Sequence, residues 1–194
     1  MKKINKKITV TSSLLICLFL LINSCSPDFI DVEANAETES SITADIAPEL
    51  VNAVYNSFLR WEMSSFAWIG LTSIASDDAD KGSIPSDTGA DKQLLDALSI
   101  SPTLLSVSDV WTGHYAGIQR ANQAISRISQ FDMDVDLQNR LLGESKFLRA
   151  LMYFRLTQTY GGVPLIKSVS DASEISDDVL RKASIEDVYQ FIEE

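Results

Sequence analysis

Residues 137–160 read LQNRLLGESKFLRALMYFRLTQTY, and the fold turns on them. At about 100° per residue, Leu141, Leu148 and Met152 point one way, Phe147 and Phe154 a second, and Leu142, Tyr153 and Leu156 a third. A helix that is apolar on every side is packed between other elements, not laid on a surface. Gly161 and Gly162, with Pro164 close behind, supply its stop. Upstream, Asp109–Gln130 is amphipathic. Val110, Trp111, Tyr115, Ile118, Ala121, Ile125 and Ile128 fall within an arc of about 140°, with Asp109, Arg120, Gln123 and Arg127 opposite. The turn over 131–136 is short, so helices over 109–130 and about 138–160 are expected to pack antiparallel.

Outward from this hairpin the chain stays helical. Leu50, Val51, Val54, Phe58 and Leu59 repeat with helical spacing behind Pro48, and the segment 65–75 is denser in apolar residues. From Ser76 to Ser108 the sequence is punctuated by Gly82, Pro85, Gly89 and Pro102, which reads as a long loop with at most short helical turns. Ser184-Ile-Glu-Asp187 has the pattern of a capping box opening a last helix. No strand alternation appears. The expected fold is all-α, with helix pairs stacked in a tetratricopeptide-like manner, although a strict repeat of about 34 residues does not align.

The N-terminus is an export signal. Lys2, Lys3, Lys6 and Lys7 precede an apolar run from Val10 to Ile22, and a small residue then precedes Cys25. The run is about a dozen residues, roughly 20 Å as a helix, too short for a hydrocarbon layer of about 30 Å. Its ending looks like a bacterial lipobox, which makes residues 1–24 a signal peptide and Cys25 the point of lipid attachment. Residues 25–45, rich in Ser, Ala, Thr and acidic groups, then read as a flexible tether, and 46–194 as one helical domain. Cys17 leaves with the signal, so no disulfide is possible in the mature chain. Loss of the four lysines leaves twelve basic against twenty-seven acidic side chains, a formal charge of −15. Such a surface repels phosphate backbones and excludes nucleic acid as a partner class.

Three stretches carry a resemblance. Trp111-Thr-Gly-His-Tyr-Ala-Gly-Ile-Gln-Arg-Ala-Asn122, Glu144-Ser-Lys-Phe-Leu-Arg-Ala-Leu-Met-Tyr-Phe154 and Tyr160-Gly-Gly-Val-Pro-Leu165 occur in order along the chain. Arg181-Lys-Ala-Ser-Ile-Glu-Asp-Val-Tyr-Gln-Phe-Ile192, Ser76-Asp-Asp-Ala-Asp-Lys-Gly82 and Cys25-Ser-Pro-Asp-Phe-Ile-Asp31 extend the pattern. Together they resemble the N-terminal helical region of SusD/RagB lipoproteins. The resemblance implies a lipid-anchored protein of the outer membrane, facing the exterior. Such a protein binds a glycan or other nutrient and delivers it to a SusC-type TonB-dependent porin, with no cofactor and no catalysis. It also implies that the chain is the N-terminal portion of a longer protein. Two other readings remain: a helical-repeat scaffold that binds only proteins, and a glycoside hydrolase lipoprotein of the same uptake system.

The candidate sites are few. Asp77, Asp78 and Asp80 with Lys81 stand in the long loop. The spacing of a calcium-binding EF-hand is absent, and adjacent aspartates in a polar loop lack the context of a catalytic pair, so no metal is expected. Recognition of glycan hydroxyls and simple solvation of a helix end both stay open for them. His114, alone of its type, lies on an apolar arc without metal- or base-like spacing and reads as core. Trp111 and Tyr115 read as core anchors. Trp61, Trp68 and Tyr55 are expected in the core, stacking on a sugar ring being the alternative. Asn122 and Glu144 are expected to share one buried hydrogen-bonded network between the two long helices, so that Glu144→Leu would cost about 1–3 kcal/mol. Ile185, Val188 and Ile192 form a stripe with no facing helix in view. A marginally folded chain with an exposed apolar patch and weak glycan binding is therefore expected.

Overall fold

The computed structural model describes residues 43–84, 86–87, 89–168 and 176–194. The expected signal peptide, Cys25 and all but the last three residues of the tether lie outside them. Eight α-helices run through the described residues, which contain no strand. They are α1 (Ala47–Ser57), α2 (Trp61–Ser64), α3 (Phe66–Ile69), α4 (Ala90–Asp96), α5 (Leu105–Ile128), α6 (Val135–Tyr160), α7 (Asp177–Leu180) and α8 (Ile185–Glu193). A π-helical turn, Gly70–Ile74, continues directly from α3.

The hairpin α5–α6 is the centre, and it is antiparallel as expected. Asp134 caps α6 by accepting a hydrogen bond from the Leu137 amide at 2.9 Å. The Gln138 amide reaches back to the carbonyls of Ile128 (2.8 Å) and Phe131 (3.0 Å), which satisfies acceptors left open at the end of α5. Along the hairpin, Trp111 meets Tyr160, Gly117 lies against Met152, and Asn122 bonds Arg149. A Cβ on Gly117 would sit 2.6 Å from the Met152 thioether, so the tip of Met152 packs where a side chain at 117 would otherwise stand. Ile118, Ala121, Ala124, Ile128, Leu148, Met152, Tyr153 and Leu156 fill the seam, and α1 adds Val51 and Val54. Burying each large side chain stabilises the fold by about 1.5–3 kcal/mol.

The last helix is partnered, which corrects the expectation that its stripe lacks a facing helix. Ser184 opens α8 with a capping box: its hydroxyl accepts from the Asp187 amide (3.0 Å), and the Asp187 carboxylate accepts from the Ser184 amide (3.3 Å). The α6 surface then faces it. Val188 is buried, Phe191 meets Tyr153 edge-on at 5.4 Å, and Tyr189 meets Phe154 at 6.3 Å. Conversely, α6 is not covered all round. Phe147 is 67% exposed, on a side of α6 between the strips that α5 and α8 cover.

The register of the hairpin corrects a second expectation. Asn122 and Glu144 do not share a network. Antiparallel pairing puts Arg149 opposite Asn122, and Glu144 lies five residues away, about 7.5 Å along the helix. Asn122 is buried; its carbonyl accepts from Arg149 (2.7 Å), and its amide donates to the Ile166 carbonyl (2.9 Å). Glu144 instead pairs with Arg140 at 3.4 Å near the surface and faces Tyr55. Glu144→Leu is therefore expected to change stability by no more than about 0.5 kcal/mol. Asn122→Leu, which leaves the Arg149 guanidinium with the Lys167 carbonyl (3.0 Å) alone as acceptor among the described residues, is expected to cost about 1–3 kcal/mol in urea unfolding.

Candidate functional site

The acidic loop begins where the π turn ends. Ser76 donates to the Ser73 carbonyl (2.7 Å) and accepts from the Asp78 amide (3.2 Å), which folds the chain sharply at the aspartates. Asp77, Asp78 and Asp80 are exposed. Lys81 turns the other way. Its side chain is only 8% exposed, and its ammonium binds Asp87 at 2.6 Å and the Ile84 carbonyl at 3.5 Å. Hydrogen bonds from Lys81 and Ser83 hold the Asp87 carboxyl below the usual range. Lys81 thus braces the loop from within, and three carboxylates remain on its outer side.

Behind the loop, α4 is clamped to α5. Lys92 is buried, pairs with Asp91 at 2.8 Å, and lies 4.4 Å over the Phe66 ring. Ser106, fully buried at the start of α5, hydrogen-bonds both Lys92 and Asp91. Burial opposes ionisation of Asp91, but the bonds from Lys92 and Ser106 outweigh it and hold its carboxyl low. An ammonium tied to a carboxylate is no base for the serine, and the hydroxyl is closed to solvent. The cluster is a structural clamp, not a nucleophile with its base.

The aromatic residues divide. Trp61 is 57% exposed and Tyr55 45% exposed, which overturns the expectation that they are core. Trp61 packs on Phe66 with ring centroids 5.5 Å apart, beside the Arg60–Glu62 ion pair at 3.0 Å. Trp68 is half-buried, with the Arg155 guanidinium 4.7 Å over its ring and His114 tilted against it at 5.5 Å. Trp111 and Tyr115 are anchors as expected, their rings tilted against each other at 4.9 Å, and the Tyr115 hydroxyl donates to the Pro164 carbonyl at 2.8 Å. Burial raises the Tyr115 and Tyr160 hydroxyls well above the ordinary range and pushes Tyr153 up to about 12. His114 is fully buried. Its Nδ1–H donates to the Val110 carbonyl at 2.7 Å, and its Nε2 has no partner.

No cluster of three or more His, Cys, Asp or Glu side chains among the described residues is arranged to hold a metal. None of their helices is long and apolar enough to cross a membrane. The exposed carboxylates and aromatic surfaces are suited to binding a neutral polar ligand by hydrogen bonds and ring contacts.

Comparison with known proteins fits this surface. Residues 28–194 match the SusD-like family described as starch-binding and associating with the outer membrane. SusD-like protein P2 of Formosa agariphila is 39% identical over 87 residues, which covers 44% of this chain and 17% of that protein. A laminarin binding SusD-like protein superposes with a TM-score of 0.65 at 30% identity, over 78% of this chain and 32% of that one. A SusD homolog from Bacteroides thetaiotaomicron gives a TM-score of 0.62 at 25% identity, over 78% and 28%. The chain thus aligns with about a third or less of the length of these relatives.

Proposed function

This chain belongs to the SusD-like family, and on that premise we propose that it binds a glycan at the outer membrane and passes it to a SusC-type TonB-dependent porin without chemistry on the sugar. The observation that carries the reading is the braced loop. Lys81 is spent internally on Asp87, while Asp77, Asp78 and Asp80 stay exposed. Carboxylates are acceptors only, and sugar hydroxyls are donors that a rigid loop can meet. The laminarin binding relative makes laminarin oligosaccharides the first ligands to try. Malto-oligosaccharides follow from the starch-binding description of the family.

Calorimetry of the full chain with both sugars tests the proposal. The paired change Asp77→Asn and Asp78→Asn is expected to weaken binding about tenfold, the loss of charge-assisted hydrogen bonds. Release of shorter sugars during the titration would turn the reading to a hydrolase. Porin capture with no affinity for sugar would turn it to a scaffold. The lipid is a separate part of the proposal. Two or more acyl chains on Cys25 would hold the chain stably at the membrane, and Cys25→Ala would release it from the outer-membrane fraction.

A further inference from the structure

We propose that the cleft between the π turn and the end of α6 is a second sugar site, distinct from the acidic loop, that takes one neutral pyranose unit. The inference rests on the glycan-binding reading above. The cleft has a volume of about 320 Å³. That is the low end of the range of about 300–1,000 Å³ typical of small-molecule sites, enough for one ring. Trp68, Leu71 and Thr72 form one wall, and Gln158, Thr159 and Tyr160 form the other.

Its chemistry selects a neutral polyol. None of the residues that line it is charged. Two other cavities, of about 280 and 350 Å³, are lined by Lys146, Arg149 and Glu194, and by Lys167, Asp187 and Glu194. Thr72 and Thr159 each spend their proton on a backbone carbonyl, Trp68 and Arg155 respectively, both at 2.8 Å. Tyr160 spends its proton on the Val107 carbonyl at 2.7 Å. All three oxygens keep lone pairs free to accept. Among the described residues the Gln158 amide and the Trp68 indole N–H hold no hydrogen bond, so both remain as donors. Acceptors in excess, two donors and apolar walls match a ring with several hydroxyls and C–H faces.

The walls are also held in place before any ligand arrives. Arg155 over the Trp68 ring and the Tyr160 bond to Val107 fix both sides. The π turn sets the position of Leu71 and Thr72, and such turns occur frequently at functional sites.

Indole signals of the isotope-labelled full chain in detergent micelles read this site directly, because the chain has 3 tryptophans. Titration with laminaritriose is expected to move the Trp68 indole and Gln158 amide signals. Gln158→Ala, an exposed change, is expected to shift the midpoint of the Trp68 signal about tenfold. If the sugar binds by calorimetry and moves amides of residues 76–84 but not Trp68, the cleft assignment is overturned and the glycan reading stands. If Trp68 moves equally in the Gln158→Ala chain, the assignment is likewise overturned. If neither laminaritriose nor maltotriose gives heat or shifts, both readings fall.

Discussion

Lowering the pH from about 7 to about 4.5 is expected to destabilise the chain by roughly 2–3 kcal/mol, with His114 as the cause. Burial, reinforced by the nearby Arg155 charge, pushes the His114 pKa down to about 4 from its ordinary 6.5, although the Val110 carbonyl favours the charged form. The atomic picture agrees with the direction. A second proton would land on Nε2, which is buried and has no acceptor. Between the two values the unfolded chain binds a proton that the folded chain does not. Stability therefore rises with pH across this window, is complete above about 6.5, and stops falling below about 4. His114→Leu removes the titration, so the dependence of urea-unfolding free energy on pH should flatten over the window. An unchanged slope in that variant would assign the pH dependence to other groups.

The same histidine shows how far periodicity reads. Its place on the apolar arc of α5 was legible from spacing alone, as were the hairpin α5–α6, the capping box at Ser184 and the end of α6 at Gly161. Each of these is a local rule, set by residues three or four apart or by a single backbone requirement. Depth along the hairpin is not local. An angular plot places Asn122 and Glu144 on inward-facing arcs, but only the turn over 129–134 fixes which residue meets which. The contacts run Gly117 to Met152 and Asn122 to Arg149, so Glu144 falls beyond Asn122's reach.

The site was less legible for a related reason. Reading Trp61 and Tyr55 as core took the segment of each as a periodic helix in steady phase; Tyr55 lies on α1, before any break, exposed beside Glu144. The chain breaks that phase three times: after α1, at Ser65 with φ −114° and ψ −135°, and at the π turn. Each break rotates the face that follows, so Trp61 and Phe66 emerge onto the surface while Met63 and Ala67 go inside. The cleft at Trp68 needs the π turn, Ile100 and the end of α6 at once, and no sequence window contains all three. The acidic loop was found by composition, but the inward turn of Lys81 depended on Asp87, six residues on.

Gly162→Ala is expected to cost about 3 kcal/mol, near the upper end for overpacking, and to undock α8. Gly162 lies in the turn after α6, where the segment entering α8 crosses it. The Ala183 amide donates to the Val163 carbonyl at 3.1 Å, which brings the two backbones together. A Cβ on Gly162 would stand 2.0 Å from the Ala183 carbonyl oxygen. Backbone cannot rotate away as a side chain can, so one of the two segments must move. The segment at 183 is the one that yields, because α8 is anchored on α6 through Val188 and Phe191, whereas α6 is also packed against α5 and α1. Hydrogen exchange should then quicken across the α8 amides and leave α5 and the first half of α6 protected. Gly143→Ala is the matched control. It lies in the middle of α6, and its Cβ would meet nothing within 4 Å, so it should stabilise the chain by about 0.5–1 kcal/mol through helix propensity alone. Opposite signs for the same chemical change at two glycines would separate close backbone approach from flexibility as the reason for Gly162. Equal and small effects would show that the crossing at Ala183 is loose and that α8 is held by its side chains alone.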